Sequence, residues 1–133
     1  MFEKWLVTLR EISRRRELEA EQVIQHLCGR SLAVALFGSR ARGNNTPLSD
    51  WDLLAIVSSG EYKIEQINIG QIVRLPLSRL NDIIEYSMII LDAITDGKLL
   101  CGDPSVFNEV KARVDDYVHR MGLTRTSRGW FKL

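Results

Sequence analysis

The sequence is poor in the residues that punctuate or crosslink a chain: it has three prolines, two cysteines and two histidines in 133 residues. No apolar stretch approaches the ~20 residues that a membrane-spanning helix needs; runs such as residues 32–37 have the length of a buried strand. The first residues are amphipathic and charged, without the apolar core of a leader peptide, so the expected location is cytoplasmic. His26 and His119 have no Cys, Glu or His at ligand spacing in their own turns, which leaves them as ordinary structural or surface residues. Cys28 and Cys101 lack metal-type spacing and lie in apolar surroundings; two buried thiols in a reducing compartment are expected rather than a disulfide. Neither sign of charge dominates, with 18 basic and 17 acidic residues, which argues against a nucleic-acid coat. No Lys-Ser or Lys-Thr completes a P-loop, and no glycine spacing matches a dinucleotide fold.

What is present is an alternation of helical and strand patterns within a length that suits one domain, residues 1–133. Phe2, Trp5, Leu6, Leu9 and Ile12 recur at helical spacing, and Ala20, Val23, Ile24 and Leu27 resume the same face. An N-terminal helix over 1–29 is therefore predicted, its apolar stripe in the core. Its charged middle is a place where it can break, and Arg14, Arg15 and Arg16 form a solvated face. Residues 31–37 and 51–57 read as buried strands, with Ser39 capping a short helix between them. A third strand is expected within 62–75. A helix opening at Pro76 and Ser78 carries Leu80, Ile83, Ile84, Met88 and Leu91 towards Gly97, and "KLLCGD" is extended. Asp103 and Pro104 start a last helix to about Met121. Residues 122–133 are a basic tail whose Trp130 and Phe131 are expected to pack back on the body.

The chemistry concentrates in "LFGSRARGNNTPLSDWDLLAIV", residues 36–57. On a strand, residues two apart share a face with Cα atoms roughly 7 Å apart, so Asp50 and Asp52 converge while Trp51 turns away. Such a pair repels unless a cation lies between, and Mg²⁺ takes hard oxygen ligands together with phosphates. The Gly38-Ser39 end of the preceding strand faces the same spot. Gly38 permits close backbone approach, Ser39 offers a hydroxyl, and Arg40 and Arg42 add positive charge suited to a triphosphate.

These residues resemble the signature of the DNA polymerase beta-like nucleotidyltransferase superfamily in its minimal, single-domain form: strand, Gly-Ser, a spacer of about ten residues, then Asp-hydrophobic-Asp. The resemblance implies an α/β nucleotidyltransferase fold, a small mixed twisted sheet with helices packed mainly on one face. It implies catalytic and metal-holding roles for Asp50 and Asp52 with Mg²⁺ or Mn²⁺, and phosphate binding by Gly38, Ser39, Arg40 and Arg42. The family adds a third carboxylate from the neighbouring strand; the matching position here is Asn68, with Glu65 as the alternative if a bulge shifts the register. The implied reaction moves an NMP, AMP from ATP, to an acceptor hydroxyl. The implied acceptor is a partner protein, a HEPN-domain toxin to this antitoxin, with homo-oligomers compatible, no membrane involvement and no nucleic acid. The rival reading is an inert module of the same fold that masks its partner by contact.

Overall fold

The computed structural model describes residues 2–132, so Met1 and Leu133, the ends of the expected domain, and the side chain of Phe2 lie outside the described residues. Helix α1 spans Phe2–Cys28, strand β1 Ala33–Phe37, α2 Gly38–Arg42, β2 Trp51–Val57, β3 Lys63–Ile67 and β4 Gly70–Pro76. A 3₁₀ turn (Leu77–Arg79) leads to α3 (Leu80–Tyr86), α4 (Met88–Asp96), β5 (Lys98–Gly102), α5 (Pro104–Met121), β6 (Leu123–Thr126) and β7 (Gly129–Lys132). Five strands form one mixed sheet in the order β3-β4-β2-β1-β5, in which β2 and β4 run parallel and the other pairs antiparallel; β6 and β7 form a separate hairpin.

The period-2 alternation of the strands divides the core into two layers. Ala33, Ala35, Phe37, Leu54, Ile56, Val73 and Leu75 face the helices α3, α4 and α5, where Ile83, Ile90, Ile94, Val110 and Val114 cover them. Val34, Leu53, Ala55 and Ile72 face the other way, against Val23, Ile24 and Leu27 of α1. The sheet is thus mixed α/β, with helices mainly on one face and the C-terminal half of α1 on the other. No described helix is long and apolar enough to cross a membrane.

Five expectations need correction. The charged middle of α1 does not break the helix, because Arg and Glu are good helix formers. The apolar stripe of α1 is core only in its second half; Trp5 is 59% exposed, and Ile12 is exposed too, since the N-terminal half overhangs the sheet. The single strand expected within 62–75 is a hairpin, turned at Asn68-Ile69, and Gly70 is required there because a Cβ would collide with the Trp51 backbone. The helix expected from Pro76 to Gly97 is interrupted at Ser87, a buried residue whose Oγ lies 2.6 Å from the Tyr62 hydroxyl. Finally, Cys28 and Cys101 are joined in a disulfide with Cα atoms 6.1 Å apart, not kept as thiols. Antiparallel pairing sets Cys101 opposite Val34, and both cysteines then border the core layer under α1.

The C-terminal elements follow the sequence signals closely. Asp103 caps α5, its Oδ1 accepting from the Ser105 backbone N–H at 2.9 Å, Pro104 is the first helical residue, and Gly122 ends the helix at φ +65°. The tail folds back as the β6–β7 hairpin, with Trp130 buried and Phe131 exposed.

Candidate active site

The antiparallel register of β1 on β2 places Phe37 opposite Asp52. Gly38 follows at φ +74°, a backbone conformation that L side chains rarely adopt, and a Cβ there would collide with Asp52 Oδ2. The glycine therefore lets the Asp52 carboxylate lie directly against the start of α2. Ser39 is inside the first turn of this five-residue helix, and no side chain caps it; the expected Ser39 cap does not form, because Phe37 occupies the cap position.

Asp52 is half-buried, and its Oδ1 accepts from Gln71 Nε2 at 3.0 Å. Burial pushes its carboxyl above the usual carboxylate range and the nearby Asp50 adds to this, while the Gln71 hydrogen bond and the Arg42 charge oppose it. Asp50 lies one residue ahead of β2, with its side chain 73% exposed and its Oδ1 3.8 Å from Arg16 Nη2. Both carboxylates, with Gly38, Ser39, Arg42 and Gln71, line one open cavity of about 450 Å³; Ile89, Asp92 and Asp96 of α4 form the facing wall.

Of the residues singled out in the sequence, Gly38, Ser39, Arg42, Asp50 and Asp52 are brought together at this cavity. Arg40 is not. Its guanidinium stacks on the Trp51 ring, 4.2 Å from the centroid, and donates to the Ser49 and Pro47 carbonyls, bracing the turn ahead of Asp50. Nor do Asn68 and Glu65 reach the site. Asn68 lies in the β3–β4 turn and donates to Glu19 at 3.0 Å, while Glu65, on the edge strand, pairs with Arg74 at 3.1 Å. Strand β4 separates β3 from β2, so the residue beside Asp52 is Gln71, its partner in the parallel register.

Sequence reasoning missed three further residues. Arg16, expected on a solvated face, sends Nη2 to the Leu48, Ser49 and Ile69 carbonyls at 3.4, 3.2 and 3.3 Å. Asp96 accepts from Arg42 at 2.9 Å and from both terminal nitrogens of Arg125 at 2.8 Å each; those bonds, led by Arg125, hold its carboxyl below the usual range. Asp92 accepts from Trp130 Nε1 at 2.9 Å and pairs with Arg125 at 3.0 Å. The spacing of Asp92 and Asp96, four apart in "DAITD", was the available signal for two acids on one helix face.

The donor set suits a hard divalent cation. Asp50 and Asp52 give carboxylate oxygens, Gln71 turns its amide nitrogen to Asp52, and the cavity is open to phosphates and water. No cluster of three His, Cys, Asp or Glu suited to a metal occurs among the described residues, so Asp50 and Asp52 are the pair that could hold such an ion. Mg²⁺ commonly binds in this way, through one or two carboxylates with phosphates and water completing the octahedron.

The family described as a nucleotidyltransferase domain matches residues 19–117. Among solved structures, a toxin-antitoxin determined with AMP-PNP is similar at a TM-score of 0.52 and 13% identity, over 80% of this chain and 89% of that one. A mutant of the toxin-antitoxin MntA-HpeT is similar to the same extent: TM-score 0.52, 13% identity, 80% and 89% coverage. At that identity the likeness is one of fold. No curated protein matches the chain.

Proposed function

The chain belongs to the nucleotidyltransferase domain family, and on that premise we propose that it transfers AMP from ATP to a hydroxyl on a partner protein of HEPN type, as the antitoxin of a pair. The observation that carries the reading is the meeting of Gly38, Ser39, Asp50 and Asp52 at one cavity. The acceptor oxygen bonds to the α-phosphorus, the bond from that phosphorus to the bridging oxygen breaks, and pyrophosphate leaves. A bound Mg²⁺ or Mn²⁺ supplies charge neutralisation for the phosphates. Asp50 and Asp52 hold that ion, Ser39 and the first N–H groups of α2 bind the terminal phosphates, and Arg42 adds positive charge at the rim. The acceptor proton passes to solvent, since Asp50 and Asp52 are engaged by the ion and the neighbouring Gln71 is an amide.

Support for a partner comes from the toxin-antitoxin relatives in fold and from the exposed apolar residues Ile12 and Leu48. Gln71 favours a second reading, in which the chain binds nucleotide and metal and masks its partner without transfer. Incubation with labelled ATP, Mg²⁺ and the HEPN-type partner separates the two. Label on the partner is expected; metal-dependent ATP binding with no transfer would favour the masking module, and no ATP binding would overturn both.

A further inference from the structure

The C-terminal hairpin lies outside the family's matched segment, yet it reaches the wall of the cavity. Arg125 of β6 donates through both terminal nitrogens to Asp96, at 2.8 Å each, and pairs with Asp92 at 3.0 Å. Asp92 is itself held by Trp130 Nε1, and the Arg125 guanidinium lies 5.8 Å from the Trp130 ring centroid. Arg125 is thus fixed by three groups. Asp96, whose side chain is only 8% exposed, is shared, because its Oδ2 also accepts from Arg42 at 2.9 Å.

We propose that Arg125 is a positioning residue for the nucleotide site, acting through Asp96 to make Arg42 available to a triphosphate. The inference rests on the nucleotide-binding reading above. Arg42 is itself exposed at the rim of the cavity that Gly38 and Ser39 line, and its Nη1 is engaged by Asp96. A polyphosphate entering the cavity competes with Asp96 for Arg42. A nearly buried carboxylate releases one cation readily only if another keeps its charge paired, because an isolated buried charge is costly. The forked bond from Arg125 supplies that second partner, in a geometry a guanidinium provides and an ammonium does not. Without Arg125, Asp96 has Arg42 as its one remaining partner among those described and retains it. The hairpin then serves the site by releasing a cation.

A purely structural strut would make the same contacts, so the test must separate the two roles. ATP and AMP affinities are measured with Mg²⁺ by calorimetry for the wild type, Arg125→Ala, Arg125→Lys and Arg42→Ala, and for Arg42→Ala combined with Arg125→Ala. Loss of one charge-assisted bond to the triphosphate corresponds to roughly tenfold weaker ATP binding in Arg125→Ala, with AMP affinity changed less than about twofold. Arg125→Lys restores part of the loss, and the effect of Arg125→Ala disappears when Arg42 is already Ala. If Arg125→Ala does not fold, Arg125→Lys carries the comparison and shows the intermediate ATP loss. ATP and AMP weakened alike, unaltered ATP affinity despite a lower Tm, or an undiminished effect in the Arg42→Ala background each overturns the proposal alone. A wild type that binds no ATP overturns the nucleotide reading with it.

Discussion

Gln71 and Asp52 sit opposite each other on the parallel strands β4 and β2, and Gln71 Nε2 donates to Asp52 Oδ1 at 3.0 Å. The amide takes the place beside the aspartate pair where a third carboxylate would be expected to complete a catalytic set. It stabilises the ionised Asp52 without adding charge, whereas an acid there would add a third negative group to two that already repel. The apoprotein gains from the amide, and a metal-loaded site would gain from the acid.

Gln71→Glu, nearly isosteric, should therefore lower stability in EDTA by about 1–2 kcal/mol, one pKa unit of unfavourable interaction being about 1.4 kcal/mol. Mg²⁺ should raise the Tm of this variant more than that of the wild type. Thermal melts with and without Mg²⁺ check both points. An equal Mg²⁺ response in the two proteins would remove Gln71 from the metal site.

Asp52→Asn should abolish metal-dependent nucleotide binding while leaving neutral-pH stability equal or higher. The sign follows from the raised carboxyl of Asp52. An acid whose folded pKa exceeds its unfolded value is protonated first in the folded state, so stability rises as pH falls between the two values. The penalty is fully present above the folded pKa and gone below the unfolded one. Denaturant titrations should show the wild type gaining on the variant as pH falls through that window. A variant much less stable than the wild type at pH 7 would mark Asp52 as a structural anchor.

Gly38→Ala meets two obstacles, the φ of +74° and the Asp52 carboxylate that the new Cβ would strike. The backbone term alone is about 1–3 kcal/mol. The damage differs from crowding of a phosphate, because the Cβ points at Asp52. Metal affinity should fall together with ATP affinity. Calorimetry with Mn²⁺ alone reads this, and intact Mn²⁺ binding beside lost ATP binding would place the conflict with the phosphates instead.

The legible parts of the molecule were those fixed by short-range chemistry. Asp103-Pro104 starts α5 as a cap and first-turn proline should, and the β1–Gly38–β2 unit stands where its turn residues and apolar runs put it. Gln71 is hidden in the sequence because residues 62–75 read as holding a single strand. The apolar residues change parity already between Ile64 and Ile67 and again around Ile72, so their alternation does not mark the turn, and the need for Gly70 arises only from the Trp51 backbone packed against it. The Arg40, Asp96 and Arg125 contacts depend on which elements meet in space, and no local pattern contains them. The disulfide belongs to the same class, since 73 residues separate two cysteines that only the sheet order makes neighbours.

Reduction of that disulfide should lower stability by about 2–4 kcal/mol, as expected for release of a long loop in the unfolded chain. Cys101 pairs beside Val34 near the start of β1, and the cavity lies beyond Phe37 at the other end of that strand. Nucleotide affinity should accordingly be unchanged at temperatures where the reduced protein remains folded. Denaturant curves with and without dithiothreitol, beside ATP calorimetry, check the separation. A large drop in ATP affinity on reduction would connect the cysteines to the site.

Arg16 is where α1 governs the placement of Asp50. Its Nη2 reaches the carbonyls of Leu48, Ser49 and Ile69, and Arg40 reaches Ser49 from the other side, so two guanidiniums hold the turn that delivers Asp50 to the cavity. Asp50 itself is exposed and lies outside the strand, with little else among the described contacts to fix it. Arg16→Ala should leave the sheet intact and cost about 1–2 kcal/mol through the unpaired carbonyls. It should also weaken Mn²⁺ binding severalfold, because a mobile Asp50 must be ordered when the ion binds. Arg16→Lys retains a single donor nitrogen and should recover part of the affinity. Manganese electron paramagnetic resonance titration measures the effect directly. If Arg16→Ala lost stability but bound Mn²⁺ as the wild type does, Asp50 would be held by its own turn, and the contribution of α1 would be confined to packing.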